Sequence, residues 1–467
     1  MRRRFVPVMA AITLGLGACA TVHNLPLNTP SANPFAGTIL QAAAAAGREQ
    51  PIEDGDIIGL AFSGGGTRAS AFAFGVLQQL ARTPTPRAGP RRDLLDHVVA
   101  VSSVSGGSII AAYFGLKGRA ALDDFRQQFL DQDLMAELNT RVSLINLGRA
   151  LGGGINDDTK LRDWFNEHLF HGATYADLIS RGRPIVLINA TDIYSRTPFL
   201  FAPVTFAAMC SDLSEYPVAG AVAASAAVPG AFAPIVIETF PGECKTPLPP
   251  SIAKAADSPA ASPIVRSFAL ALERSRSGSV KYVKLLDGGL VDNYGLSGIT
   301  IARIASGTPY GPLRPEDAVN MRRFLFLVVD AGLGPKGQWA QTLEGPTGKD
   351  LIGAVIDTVV DANTRSSYAA FEVTMRQWRE DLVRWRCGLR REEVARLRGK
   401  AGPWNCRDLK ITVTRVSFDQ LGAERAKTLN EVPTSFTLPA AQVDELTSAG
   451  ADALQGNHVY QEFLKGM

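Results

Sequence analysis

The feature that most constrains the fold is a strand-like run that ends at small residues and passes directly into an apolar helix. Residues 97–104 have strand character, Ser105 and two glycines follow, and residues 109–116 have helical character. A serine at such a turn is pushed out of the sheet edge, with its hydroxyl exposed and a helix N-terminus behind it. The pattern is G-x-S-x-G with Ser103 at the first glycine. Ser105 is therefore the candidate nucleophile, and a plain strand-to-helix turn is the alternative.

A second strand, glycine turn and helix precede this one in the chain. The strand-like residues 57–62 are followed by three glycines, Gly64, Gly65 and Gly66, and then by Arg68 in a helical stretch. Consecutive glycines let main-chain N–H groups point into a cavity without side chains in the way, which a developing oxyanion needs. The glycine loop is therefore predicted to form an oxyanion hole.

Two nucleotide-binding motifs compete for the same glycines. Residues 64–69 also satisfy G-x-G-x-x-A, a dinucleotide fingerprint that expects an acidic residue about 20 positions later. Residues 81–92 contain no Asp or Glu. The Gly-Lys-Ser or Gly-Lys-Thr ending of a P-loop is also missing. A purely structural role of the glycines stays open.

A nucleophilic serine needs a base, and none of the five histidines lies in a catalytic motif. Asp287 is a better candidate, because it follows the strand-like residues 282–286 and precedes two glycines. A carboxylate at a strand end with small neighbours can orient and deprotonate a serine hydroxyl directly. Asp192 and Asp292 are alternative bases, and a plain Asp-Gly turn is the non-catalytic interpretation.

Taken together, these motifs resemble the patatin-like phospholipase family. Its members carry a Gly-Gly-Gly-x-Arg loop, a G-x-S-x-G serine and an Asp-Gly-Gly or Asp-Gly-Ala motif, in that order. This chain has them at residues 64–68, 103–107 and 287–289. Residues 224–234 resemble a fourth block, which in such proteins shapes the wall near the active site. The resemblance covers roughly residues 57–296, and Ser103 is its one departure.

The resemblance implies a three-layer α/β fold, with a central, mostly parallel sheet flanked by helices. It also implies a Ser–Asp dyad, in which Ser105 attacks an ester carbonyl, Asp287 takes its proton and the glycine loop holds the oxyanion. Arg68 either lends positive charge near an oxyanion or phosphate headgroup, or ties a loop down. The implied substrate is a phospholipid or another acyl-ester lipid, and no cofactor or metal is implied.

Two other functions stay open. An α/β-hydrolase uses Ser, Asp and His in chain order, and His458 is the only histidine after Asp287. A non-catalytic lipid-binding lipoprotein is the alternative outside enzymes, although the intact serine, aspartate and glycine loop argue against it. The sequence does not distinguish phospholipase A, lysophospholipase, galactolipase and simple esterase activities.

The N-terminus has the pattern of a bacterial lipoprotein export signal. Three arginines precede a short apolar stretch over residues 5–16, and residues 16–19, Leu-Gly-Ala-Cys, resemble a lipobox. We expect residues 1–18 to be cleaved, Cys19 to carry lipid and residues 19–50 to form a flexible tether. Ala20, rather than Asp, indicates the outer membrane of a Gram-negative cell by analogy with lipoprotein sorting. A buried N-terminal helix is the alternative.

The charge balance of the chain indicates which binding partners to expect. Residues 1–18 hold three arginines and no acidic residue, so the remaining chain has equal numbers of basic and acidic side chains. General attraction to nucleic acid is therefore not predicted.

Beyond Cys19, four cysteines remain in a compartment expected to be oxidising, which favours disulfides. Of three possible pairings, the local one is the simplest: Cys210 with Cys244, and Cys387 with Cys406. No Cys or His spacing indicates a metal site.

Strand-like and helical runs alternate along the chain, which predicts an α/β sheet wrapped by helices. The catalytic domain is expected over residues 51–340, and a helical or α+β extension over residues 341–467 is expected to pack on it.

Residues 218–237 are free of charge, but their prolines and alanines favour a buried segment over a membrane span. The Pro-, Ala- and Ser-rich stretch at about 244–279 is interpreted as an inserted surface loop, either a solvated linker or a lid with a helix over 265–274.

Overall fold

One eight-stranded sheet organises the structure, which is a computed structural model. The structure describes residues 24–37, 55–85, 93–138, 156, 158–334, 337–400 and 402–467. The strands are β1 (Asp56–Phe62), β2 (Val98–Val104), β3 (Ile185–Asp192), β4 (Thr197–Leu200), β5 (Ile235–Glu238), β6 (Tyr282–Asp287), β7 (Arg323–Asp330) and β8 (Lys410–Ser417). Their order across the sheet is β5-β6-β3-β2-β1-β7-β8, and β4 pairs with β3.

Strand direction brings two distant parts of the chain to one edge of the sheet. Strands β3, β2, β1, β7 and β8 are parallel neighbours, so β1 and β2 end at the same edge. Strand β6 is antiparallel to β3, and it pairs only with the last part of β3, where Asp287 lies opposite Ala190. Because Val104 lies opposite Asn189, the ends of β2 and β6 lie at nearly the same level.

Helices cover both faces of the sheet. The α-helices of the described residues are α1 (Gly66–Arg82), α2 (Gly106–Lys117), α3 (Ala121–Phe125), α4 (Leu134–Glu137), α5 (Asp158–Phe165), α6 (Tyr175–Arg181), α7 (Pro203–Ala208), α8 (Val218–Ser225), α9 (Pro250–Asp257), α10 (Pro263–Arg276), α11 (Gly289–Asp292), α12 (Leu296–Ala305), α13 (Pro315–Asn320), α14 (Gly348–Gly388), α15 (Arg391–Arg398), α16 (Ala423–Asn430), α17 (Ala440–Gln455) and α18 (His458–Lys465).

The apolar core forms two layers, one on each face of the sheet. In β7, Leu325, Leu327 and Val329 belong to one core, whereas Phe324, Phe326 and Val328 belong to the other. Successive side chains of a strand point to opposite faces, so a strand covered on both sides is apolar throughout. Helices α1, α2, α8 and α17 contribute to the first core, and α9, α10, α12 and the carboxyl half of α14 contribute to the second. The predicted three-layer α/β class is confirmed.

The insert at 244–279 is part of the second helical layer. It contains α9 and α10, each of which begins at a proline, a residue that is common at the first position of a helix because it needs no N–H donor there. Phe268 of α10 and Ile252 of α9 are buried in the second core. The helix predicted over 265–274 is confirmed with wider bounds, but the solvated-linker interpretation is wrong. No residue of the insert lines the cavity that holds Ser105, so the structure gives the lid interpretation no support.

The predicted tether is docked where the structure describes it. The side-chain amide of Asn24 donates to the carbonyl oxygens of Ala233 and Pro234, at 3.3 and 2.8 Å. Asn28 exchanges two hydrogen bonds with the main chain of Glu238. A flexible tether is therefore the wrong description of residues 24–37. The predicted signal over residues 1–18, Cys19 and the remaining tether residues lie outside the described residues.

Both local disulfides are confirmed, with Cys210 bonded to Cys244 and Cys387 bonded to Cys406.

The charge-free residues 218–237 form α8, a turn and the start of β5, and most of their side chains are buried, as predicted. Among the described helices, none combines the length and the apolar character that crossing a bilayer requires. The region after residue 341 shares the sheet, because β8 pairs with β7 along its whole length.

Candidate active site

Ser105 occupies a sharp turn between β2 and α2. Its backbone has φ 52° and ψ −127°, a conformation that residues with side chains rarely adopt. Such a conformation costs on the order of 1–3 kcal/mol and persists only where the surrounding structure enforces it. Strained turns of this kind present a nucleophilic serine at the edge of the sheet. The predicted elbow is therefore present.

The elbow packs main chain against main chain on the glycine loop. A Cβ atom added to Gly106 would lie 2.1 Å from the carbonyl oxygen of Gly66. A Cβ atom on Gly107 would lie 2.6 Å from the carbonyl oxygens of Phe62 and Ser63. Only glycine fits at either position without a shift of the backbone. The two glycine turns noted in the sequence are therefore in direct contact.

Ser105 and Asp287 are joined by a hydrogen bond. The Ser105 hydroxyl donates to Oδ2 of Asp287 at 2.6 Å, and the N–H of Gly289 donates to Oδ1 at 2.8 Å. The Asp287 side chain is buried, and this burial raises its pKa to about 6, while the hydrogen bonds from Ser105 and Gly289 lower it. Burial penalises the charged form, so this carboxylate is a stronger base than an ordinary aspartate. Above pH 6 it is ionised and able to accept the serine proton.

Within the glycine loop, the three N–H groups differ in their partners. The N–H of Gly64 donates to the carbonyl oxygen of Asn293 at 3.0 Å. For the N–H groups of Gly65 and Gly66, no acceptor occurs among the described residues. The small size of Gly64 matters as well, because a Cβ atom there would lie 3.3 Å from the Cβ atom of Ser105. The loop thus lies against Ser105, and two of its N–H groups have no acceptor among the described residues.

Arg68 ties the glycine loop to the C-terminal part of the chain. Its Nε donates to the carbonyl oxygen of Ala331, and its Nη1 donates to the carbonyl oxygen of Val432 and the hydroxyl of Thr434, each at 2.9 Å. Burial lowers the pKa of Arg68 to about 10, so the side chain stays charged at neutral pH. A Cβ atom on Gly65 would lie 3.0 Å from Nη2. The positive charge therefore lies against the loop that this side chain also anchors.

Ser225, at the end of α8, is a residue of the candidate site that the sequence analysis missed. Its hydroxyl accepts the N–H of Ser105 at 2.9 Å and donates to the carbonyl oxygen of Asn189 at 2.6 Å. Its carbonyl oxygen accepts the N–H of Gly288 at 3.2 Å. One residue therefore fixes the main chain on both sides of the Ser105–Asp287 pair. It lies in the block at 224–234, but among so many small buried residues no pattern distinguishes its hydroxyl.

The alternative acids have structural partners. One carboxylate oxygen of Asp192 accepts the N–H groups of Tyr194 and Ser195. The Asp292 carboxylate accepts the N–H groups of Tyr294 and Ser297. Both carboxylates thus hold turns of the main chain, and neither residue lines the cavity of about 430 Å³ that contains Ser105 and Asp287.

None of the four histidines in the described part of the chain lines this cavity, and His23 lies outside that part. His97 is buried and its ring is hydrogen-bonded to the carbonyl oxygen of Asp56, at the start of β1. His168 stacks on Trp164. His458 is exposed at the first position of α18. The described residues that line the cavity include no histidine.

A serine at a strained elbow, a buried aspartate and a glycine loop form the kind of site that serine acyl hydrolases use. The family model described as patatin-like phospholipase matches residues 60–298, just over half of the chain. The chain belongs to the patatin-like phospholipase family. This membership supports a general function as a lipid acyl hydrolase with a lipid substrate. No curated protein matches the chain.

Replacing Ser225 by alanine is expected to loosen the elbow. The Ser225→Ala change leaves the buried N–H of Ser105 without its acceptor, which costs about 1–3 kcal/mol of unfolding free energy. Labelling of Ser105 by a fluorophosphonate should slow as well, since the backbone at the nucleophile is no longer fixed. Denaturant unfolding and labelling kinetics measure the two effects.

The matched control is Ser277→Ala. The Ser277 hydroxyl is exposed and bonded only to nearby residues, so the change should stay within about 0.5 kcal/mol. Unchanged stability and labelling in Ser225→Ala would show that Ser225 does not position the nucleophile.

Proposed function

We propose that the protein is a serine acyl hydrolase that cleaves fatty-acyl esters of phospholipids or related lipids through a Ser105–Asp287 dyad. The observation that carries the proposal is the 2.6 Å hydrogen bond from the Ser105 hydroxyl to the Asp287 carboxylate. Hydrogen-bond contact between nucleophile and base is the first geometric requirement for this chemistry.

In the first half of the reaction, Ser105 becomes acylated. Its Oγ forms a bond to the ester carbonyl carbon while the hydroxyl proton moves to Asp287. The carbonyl oxygen becomes an oxyanion, and the N–H groups of Gly65 and Gly66 are its proposed donors, supported by the positive charge of Arg68. One well-placed donor contributes about 3–4 kcal/mol to such a transition state. The bond to the alcohol then breaks, and the departing oxygen takes the proton from Asp287.

In the second half, water releases the fatty acid. Asp287 accepts a proton from a water molecule as the water oxygen attacks the acyl carbon, and the proton passes to the Ser105 oxygen when the acyl bond breaks. Apolar side chains line much of the cavity, among them Val228, Leu290 and Ile356. Such a lining suits an acyl chain, which gains free energy when it leaves water.

Removing either member of the dyad should abolish hydrolysis. Ser105→Ala deletes the nucleophile, and Asp287→Asn keeps the shape of the side chain but removes the base. We expect each change to lower kcat/KM for a soluble short-chain ester by about 10⁴-fold or more. Fluorophosphonate labelling with peptide mapping should mark Ser105 in the parent, disappear in Ser105→Ala and slow in Asp287→Asn.

His458→Ala is the control for this pair of variants. Because His458 is exposed and outside the cavity, its loss should change kcat/KM by less than about twofold. A severe loss would support a Ser-His-Asp triad instead. A folded parent that neither hydrolyses esters nor takes the label would indicate a lipid-binding lipoprotein.

The pH dependence should report the titration of Asp287. Burial raises its pKa to about 6, and only the ionised form accepts the serine proton. The value of kcat/KM for a soluble ester should therefore rise about tenfold per pH unit below pH 6 and level off above it. The same acid limb is expected in His458→Ala. Disappearance of the limb in that variant would assign the titration to the histidine.

We further propose that the protein is a lipoprotein of a Gram-negative outer membrane, attached through Cys19. The support is the sequence pattern alone, with its basic start, short apolar stretch and lipobox. In cells, the parent should fractionate with membranes and incorporate radiolabelled palmitate, and Cys19→Ser should lose both properties. Palmitate incorporation by Cys19→Ser would contradict the assignment of the attachment site.

A further inference from the structure

The amino half of α14 lines the active-site cavity, and most of its side chains are exposed. In the carboxyl half, Phe371, Trp378 and Leu382 are buried against the sheet. In the amino half, Leu351, Val355 and Val359 are exposed by 48, 56 and 48%. Their spacing of four residues places them on one stripe of the helix. An apolar stripe that is left about half exposed is unusual for a helix in water.

Ile356, three positions before Val359 and therefore its neighbour on the helix surface, connects this stripe to the cavity wall. Three further exposed apolar side chains, Val228, Trp339 and Ile356, line the cavity that contains Ser105 and Asp287. We call the six residues the rim patch: Val228, Trp339, Leu351, Val355, Ile356 and Val359. It holds six of the thirteen exposed large apolar side chains in the described part of the chain. Apolar side chains concentrated in this way mark an interaction site, whereas single ones do not.

The charge around the patch argues for an apolar mode of attachment. The segment at 348–365, which carries four of its residues, contains three acidic and two basic side chains. A surface that attracts anionic lipid needs a cluster of basic residues, each contributing about 1 kcal/mol. This segment lacks such a cluster, and its charge suits a zwitterionic surface.

The first described residue, Asn24, lies close to the turn that carries Val228. Asn24 is bonded to the carbonyl oxygen of Ala233, and the preceding residue, Phe232, donates its N–H to the carbonyl oxygen of Val228. Five peptide units separate Asn24 from Cys19, and a chain of that length spans at most about 18 Å. Lipid on Cys19 would therefore lie within about 18 Å of the docking point of Asn24, beside the turn that carries Val228.

We propose that the rim patch docks on the surface of a zwitterionic phospholipid bilayer, so that the cavity opens into the lipid and an acyl chain enters without crossing water. This inference rests on the proposed function and adds to it the surface through which the enzyme reaches its substrate. The lipid at Cys19 and the rim patch then contact the same membrane.

The test compares two variants in a Cys19→Ser background, so that no acyl anchor contributes to binding. Val355→Asp/Val359→Asp places two charges on the stripe, and neither residue lines the cavity. Binding of the full chain to phosphatidylcholine vesicles should fall about tenfold or more, as should hydrolysis of lipid in those vesicles. For a soluble short-chain ester, kcat/KM should stay within about twofold of the parent value.

The matched control is Val373→Asp, on the same helix and 42% exposed, but outside the patch. It should retain vesicle binding and both activities. Thermal unfolding midpoints check that the variants fold, and Leu351→Asp/Val355→Asp repeats the test nearer the start of the helix. Ser105→Ala should bind vesicles like the parent, which separates docking from catalysis.

Three results would overturn the proposal. The first is unchanged vesicle binding by both double variants. The second is binding that requires anionic lipid and is lost in high salt. The third is a dimer in lipid-free solution that the double variants disrupt while their vesicle binding persists. That result would mean that the rim patch binds a second copy of the chain and not a membrane. A parent that binds vesicles through the patch but hydrolyses no ester would instead contradict the proposed function alone.

Discussion

The carbonyl oxygen of Gly66 lies so close to Gly106 that even a methyl group there would come within 2.1 Å of it. This contact joins the turn after β1 to the turn after β2, with no side chain between them. It holds Ser105 in a conformation that costs free energy, and it places the glycine loop beside the hydroxyl. Because β1 and β2 are adjacent parallel strands, the sheet brings both turns to one edge, and the glycines allow them to touch.

Close packing also accounts for the raised pKa of Asp287. The Asp287 side chain is buried at the cavity wall, so that its charge is poorly hydrated. Burial therefore makes the carboxylate more basic than that of an exposed aspartate, as the proposed role in proton transfer requires. Two hydrogen bonds limit this effect and fix the orientation of the carboxylate. Ser225 extends the arrangement by holding the main chain at Ser105 and at Gly288.

Much of this site was predictable because its signals are local. A glycine turn after an apolar strand identifies Ser105, Asp287 and the glycine loop from a few adjacent residues. Ser225 was not predictable, because its importance comes from three partners that are distant in the chain. The partner of the Gly64 N–H was equally hidden, since Asn293 lies more than two hundred residues away. At the level of the fold, the alternation of strand-like and helical runs indicated an α/β sheet and the family resemblance implied its three layers, but the structure of the insert at 244–279 was not foreseen. Its prolines and alanines suggest a linker by composition, yet the prolines begin helices whose apolar faces fill the second core.

The residues that accept hydrogen bonds from Arg68 lie well beyond the segment that matches the family model. Its partners Val432 and Thr434 lie near the C-terminus, and the carbonyl oxygen of Ser435 accepts the N–H of Thr67. Strands β7 and β8 also follow the matched segment, and β7 is the direct neighbour of β1. Cutting the chain at residue 298 would therefore remove one side of the sheet and the support of the glycine loop. The smallest unit that could be moved into another protein with this site intact extends nearly to the end of the chain.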